Sequence, residues 1–283
     1  MGGQIMAVSR STARIGAFVL VGVLAGCGSN SKPKTPIEDL TAAQIYHRAE
    51  YELETKRDAK AAAKDFGEVE RLYPYSEWAK RATIMEAYAD HQGRKYEESR
   101  SAAQRYLDYY PGDEDAAYAQ YLIALSYYDQ IDAVGRDQAI TFQALQALRD
   151  VIEKYPNSQY ARSAMMKFDL AFDHLAAKEM EIGRYYEKKG DYTAAINRFR
   201  AVVEQYQTTS YTPEALERLV ECYLALGLTD DAQTAGAILG LNFQSSPFYQ
   251  DAYVRLKNRG LDPTAKGEGW LRRIFDSSAK KKS

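Results

Sequence analysis

An all-α, right-handed solenoid of about five helix pairs is the architecture that this 283-residue sequence predicts. Three observations carry it. Tyrosine-proline phrases recur at intervals of about 37 to 51 residues, as Leu72-Tyr73-Pro74-Tyr75-Ser76, Tyr109-Tyr110-Pro111-Gly112-Asp113, Lys154-Tyr155-Pro156-Asn157-Ser158 and the diverged Gln205-Tyr206-Gln207-Thr208-Thr209. The segments between them place apolar residues at helical spacing. The composition is rich in Ala, Tyr, Glu, Lys and Arg and poor in aliphatic β-branched residues, which favours helix over strand. Each phrase closes one helix, because proline cannot continue it, and opens the next, because Ser76, Asp113 or Ser158 can accept its free N–H groups.

Before the first repeat, Arg10 and Arg14 precede the apolar run 15–24, which ends in Leu24-Ala25-Gly26-Cys27. This is the pattern of a lipoprotein signal peptide over residues 1–26, and the run is too short to span a bilayer, which takes roughly 20 apolar residues. Cys27 is then the mature N-terminus, carrying diacylglycerol on its thiol and a further acyl chain on its amine. Gly28 and Ser29, where an aspartate commonly retains a lipoprotein in the inner membrane, fit sorting to the outer membrane. A myristoylation reading of Met1-Gly2-Gly3 fails because Met6 stands where Ser or Thr is wanted. Residues 27–40 are polar with two prolines and read as an extended tether.

Five repeats follow over residues 41–247, at approximately 41–75, 76–112, 113–157, 158–208 and 209–247. Tyr46, Ala62, Phe66 and Pro74 mark the first; Ile84, Tyr88, Gly93, Tyr96, Ala103 and Pro111 the second. Tyr118, Ile123, Tyr127, Ala139, Leu145, Leu148 and Pro156 mark the third, lengthened by a loop over 129–138. The clearest unit runs from Glu179 to Gln207: Ile182-Gly183, Tyr186, the turn Gly190-Asp191-Tyr192, and then Ala195, Phe199 and Val202. That order resembles the tetratricopeptide repeat at nearly every signature place, with Gln207 where proline is usual. The small residues let two helices cross closely while the aromatics fill the space beside them. Leu216, Leu219, Tyr223, Gly227 and Ala232 repeat the logic in the fifth unit. Residues 248–283, with Trp270-Leu271, Ile274-Phe275 and Lys280-Lys281-Lys282, form a C-terminal extension that reads as a short amphipathic helix or a partner contact.

Charge and chemistry exclude several function classes. Residues 1–26 carry two arginines and no acid, so the mature chain keeps 35 basic and 39 acidic side chains and is close to neutral, which argues against nucleic acid as a partner. Besides Cys27 only Cys222 remains, so no disulfide can close within the mature chain; Cys222 reads as a buried small hydrophobe. His47, His91 and His174 fall in different repeats without ligand spacing, so no metal site and no cofactor is expected. Nucleotide and nucleophile-elbow fingerprints are missing, and Glu97-Glu98 or Asp113-Glu114-Asp115 read as solvated faces, so no catalytic residue and no enzymatic activity is expected.

A solenoid of helix pairs presents a groove lined by the first helix of each pair, suited to peptides and partner helices. Among the 23 tyrosines, Tyr46, Tyr88 and Tyr127 are the candidates to bind substrate there, with burial in the repeat cores as the competing reading. The lipobox, the short polar tether, the five repeats, Tyr155-Pro156-Asn157-Ser158-Gln159-Tyr160, and Leu175-Ala176-Ala177-Lys178-Glu179 leading to Tyr185-Tyr186 together resemble the BamD family over residues 20–247. The resemblance implies a lipid-anchored, non-catalytic scaffold of the outer-membrane β-barrel assembly machine, on the periplasmic face. Its partners would be unfolded outer-membrane protein precursors, bound by the N-terminal repeats, the POTRA domains of a BamA-like barrel subunit, docked by the C-terminal repeats, and the machine's other subunits. Asn197-Arg198 match an Asn-Arg step at which the family's arginine reaches the barrel subunit. A pilotin-like lipoprotein that escorts a secretin is the alternative. A cell-wall enzyme is the reading of a different class, and it lacks a paired-acid or Ser/Lys constellation.

Overall fold

The computed structural model describes residues 35–264 and Leu271; Cys27, expected to carry the lipid, and the Trp270, Ile274-Phe275 and lysine-tail features lie outside the described residues. The chain divides into an N-terminal unit, residues 1–39, in which Ile37–Asp39 form a 3-10 helix, and a second unit from residue 40 that holds every α-helix described. Those helices form five consecutive pairs: α1 (Ala42–Glu54) with α2 (Ala59–Leu72), α3 (Glu77–Gln92) with α4 (Tyr96–Tyr109), α5 (Ala116–Tyr128) with α6 (Ala139–Lys154), α7 (Gln159–Lys188) with α8 (Tyr192–Gln205), and α9 (Thr212–Ala225) with α10 (Thr229–Asn242). One further helix, α11 (Pro247–Lys257), follows. There is no strand among the described residues, and each helix packs on the next, as in a tetratricopeptide-like solenoid.

The boundaries follow from local chemistry. Ser76, Ser158 and Ser246 accept the N–H groups of Ala79, Ala161 and Phe248, capping α3, α7 and α11. Asp113 does not cap α5. Its carboxylate accepts instead from the Asp115 N–H, from the Tyr106 hydroxyl at 2.5 Å and from the Lys80 ammonium at 2.6 Å, tying α4 and α3 to the loop after α4. These donors hold Asp113 down at about 2. Inside four of the pairs the chain turns through a left-handed residue, Arg57, Arg94, Gly190 or Gly227. Glycine meets that demand at no steric cost; the two arginines do not.

First helices also touch across repeats, α1 with α3, α3 with α5, α5 with α7 and α9 with α11, which the second helices do not do to a comparable extent. The first helices are therefore the inner row of the solenoid. Two apolar cores run along it. One joins Ile84, Tyr106, Leu122 and Leu148 of the second and third repeats. The other joins Leu175, Met180, Phe199, Leu216, Leu219 and Leu239 and takes in Leu256 of α11 and Leu271. In the fourth pair a Cβ on Gly183 would stand 2.4 Å from the Phe199 ring, so the α7–α8 crossing needs glycine.

Candidate partner-binding surfaces

The three tyrosines proposed for the groove have different surroundings. Tyr46, on α1, is only 8% exposed and packs edge-on to Phe66 with Trp78 beside it, so it belongs to the core and is not open to a groove ligand. Burial pushes its hydroxyl up. Tyr88 on α3 and Tyr127 on α5 are half-buried, and the Arg100 guanidinium lies 4.2 Å from the Tyr127 ring centre. The inner row carries tyrosines that sequence reasoning left out: Tyr121 and Tyr160, together with the repeat-marking Tyr118. The rings of Tyr118 and Tyr121 lie 5.2 and 5.4 Å from that of Tyr160, joining α5 to α7. Burial pushes the Tyr118 and Tyr121 hydroxyls up, so they remain neutral donors. The signal was present in the Tyr155–Tyr160 phrase, but only the helix stacking shows that Tyr160 reaches α5.

A cleft of about 620 Å³ opens among α2, α3 and α4, in the N-terminal repeats. Lys60, Lys64, Lys95 and Arg105 line it together with Asp58, Glu86, Asp90 and Glu98, so cations and carboxylates balance. Arg105 bridges Glu70 at 3.0 Å and Glu86 at 2.7 Å. Burial pushes Glu86 up to about 7, with the Arg105 charge opposing and Glu70 adding to the shift. Such a wall offers paired donors and acceptors to a peptide main chain or terminus.

In the fourth repeat, Asn197 and Arg198 are both exposed, and Arg198 is followed directly by the fully buried Phe199. They line a cleft of about 240 Å³ between α7 and α8 with Glu179, Tyr186, Ala194 and Ala201. Arg198 Nη1 donates to Glu179 Oε2 at 3.1 Å, with the guanidinium side chain 44% exposed. The pair holds the arginine in place without removing it from a partner's reach, since an exposed ion pair is worth at most about 1 kcal/mol.

Cys222 and the histidines are not gathered into a common site. Cys222 is buried and free, its thiol donating weakly to Glu187 at 3.7 Å. His47 is paired with Glu50, and His91 lies 3.1 Å from Asp129. No group of three His, Cys, Asp or Glu side chains among the described residues is placed to hold a metal ion. Among those residues no helix is long and apolar enough to cross a membrane.

Comparison with known proteins places the chain in a family. A family model described as an outer membrane lipoprotein, YfiO, matches residues 38–238. A relative from Caulobacter vibrioides, named outer membrane protein assembly factor BamD, is 45% identical over 254 residues, covering 90% of this chain and 83% of the relative. A protein of the same name from Rickettsia prowazekii is 42% identical over 87% of this chain and 98% of its own. Another, from Neisseria meningitidis, is 29% identical over 80% of this chain and 88% of its own. With its stacked helix pairs and a match that spans most of its length, this chain belongs to the BamD family of outer membrane lipoproteins.

Proposed function

We propose that this protein is a lipid-anchored scaffold for outer membrane protein assembly, held through Cys27 on the periplasmic face of the outer membrane. Its C-terminal repeats dock the POTRA domains of a BamA-like barrel subunit, and its N-terminal repeats receive β-barrel precursors. The observation that carries the docking half is the α7–α8 cleft, where Asn197 and Arg198 stand exposed directly beside the fully buried Phe199. A guanidinium so positioned on a rigid helix is pre-organised for a partner carboxylate. For the precursor half, the balanced cleft among α2, α3 and α4 supports binding of a peptide segment, and the half-buried Tyr88 and Tyr127 remain the candidate tyrosines of that reading. Tyr46 leaves it, being core.

The test is affinity capture from gently solubilised native membranes with the wild-type protein and with Arg198→Glu. The wild type should recover a POTRA-bearing barrel. Arg198→Glu places a carboxylate beside Glu179 and should reduce that recovery at least tenfold while the helical content and melting temperature stay the same. Undiminished recovery would remove Arg198 from the interface.

A further inference from the structure

Where α7, α9 and α11 meet, in the C-terminal part of the solenoid, charged side chains gather away from both clefts. From α7 come Arg184 and Glu187, from α9 Glu214, Glu217, Arg218 and Glu221, and from α11 Arg255. The other helices packed on α9 turn apolar residues toward the same core, Phe199 and Val203 from α8 and Ile238 and Leu239 from α10. Arg184 grips Glu214 through two hydrogen bonds, at 2.6 and 2.9 Å. Arg218 reaches Glu221 at 2.6 Å and lies 3.6 to 3.8 Å from Glu214, Glu217 and Glu187. Arg255 spans from Glu217, at 3.3 Å, to Glu221. The Cys222 thiol donates to Glu187.

The charges do not cancel. Four carboxylates meet three guanidiniums, and the Glu217 side chain is only 3% exposed. Burying an unbalanced charge is costly, and holding one proton among neighbouring carboxylates removes the excess. We propose that the α7–α9–α11 junction is a proton-operated latch, which takes up a proton when it closes and so holds the fifth repeat and α11 more firmly in mild acid than above neutrality. Burial agrees with this, since it pushes both Glu187 and Glu217 up to about 7 against the pull of Arg218. The sign follows from linkage. A carboxyl raised in the closed state binds more protons there than in the open state, so closure is favoured below about 7 and the advantage is lost as pH rises through that value.

The experiment is hydrogen–deuterium exchange of the full chain at pH 6 and pH 8, corrected for the intrinsic exchange rate and read on peptides from α9 and α11. For one shared proton, the α9 and α11 amides should open about tenfold more often at pH 8 than at pH 6. Peptides from α6, which carries none of the junction's side chains, serve as the internal reference. Glu217→Gln and, separately, Glu187→Gln should flatten the ratio toward one. If Glu217→Gln fails to fold, Glu187→Gln, at a more exposed position, decides alone. Equal protection at the two pH values in the wild type, or a tenfold ratio that survives both substitutions, would overturn the latch.

Discussion

Gly183→Ala is the substitution whose outcome most sharply tests the packing account of the fourth repeat. In a solvent-facing helix, glycine to alanine stabilises by about 1 kcal/mol through helix propensity. At position 183 the new methyl would lie 2.4, 2.8 and 2.9 Å from three carbons of the Phe199 ring. Contact between carbons needs about 3.5 Å or more, so the ring or the helix must move by roughly 1 Å. Phe199 is fully buried among Met180, Ala195, Val202 and Leu216, which leaves it no solvent into which to swing. Overpacking of this kind costs about 1–3 kcal/mol, and with strain this close the upper part of that range applies. Subtracting the propensity gain leaves a net loss of about 1–2 kcal/mol, a fall in melting temperature of about 3–6 °C for a folded region of this size. Circular dichroism melts and urea titration of wild type and variant measure it. Combining Gly183→Ala with Phe199→Leu should recover part of the loss, because the smaller side chain relieves the clash and the pair is therefore non-additive. A Gly183→Ala protein that melts at or above the wild-type temperature would refute the close-crossing argument.

Three further outcomes follow from the geometry. Arg94→Gly should stabilise by about 0.5–1 kcal/mol in urea titration, because relieving a left-handed backbone (φ 58), worth about 1–2 kcal/mol, outweighs the extra freedom that glycine gives the unfolded chain, at the turn that Gly190 and Gly227 occupy elsewhere; a destabilised variant would mean that the arginine side chain makes an essential contact. Ser158→Ala should cost about 1 kcal/mol and increase exchange at the start of α7, since it deletes the oxygen that accepts the Ala161 N–H. In the second repeat, Glu86 is raised by burial to about 7, so its folded form binds more protons than its unfolded form and its contribution to stability declines as pH rises from about 4.5 through about 7. The difference in stability between wild type and Glu86→Gln, measured by urea titration from pH 5 to pH 8, should therefore change in that window; a difference constant across it would contradict the buried position of the carboxyl.

Much of the fold was legible because repeats announce their own joints. Proline at 74, 111 and 156 with serine at 76 and 158 marks where one helix must stop and the next is capped, and Gly190 and Gly227 mark turns inside pairs. The 30-residue length of α7 was harder to read. The Glu179–Gln207 motif draws attention to the second half of that helix, whereas its first half, with exposed Met165, Met166 and Leu170, lacks the regular apolar spacing of the others. Arg57 and Arg94 concealed two left-handed turns, since arginine gives no hint of positive φ. Asp113 looked like a helix cap but serves Tyr106 and Lys80, partners that only the stacking of neighbouring repeats brings near.

The candidate surfaces divide the same way. Arg198 could be placed outward from its neighbour Phe199 alone, because adjacent residues on a helix point about 100° apart. Tyr46 could not be placed: a tyrosine at a repeat position reads equally as groove or core, and its contacts with Phe66 and Trp78 are what decide it. The α2–α4 cleft and the α7–α9–α11 charge cluster join residues more than 30 positions apart, and no local pattern marks them.

The most direct test of the central claim is site-specific photo-crosslinking in native outer membranes, with a photoreactive residue introduced at Asn197 and the adduct identified by mass spectrometry. The scaffold account predicts an adduct with the POTRA region of a barrel subunit, lost when Arg198→Glu is added. An adduct with a secretin, or a crosslinked POTRA adduct that Arg198→Glu leaves unchanged, would contradict it.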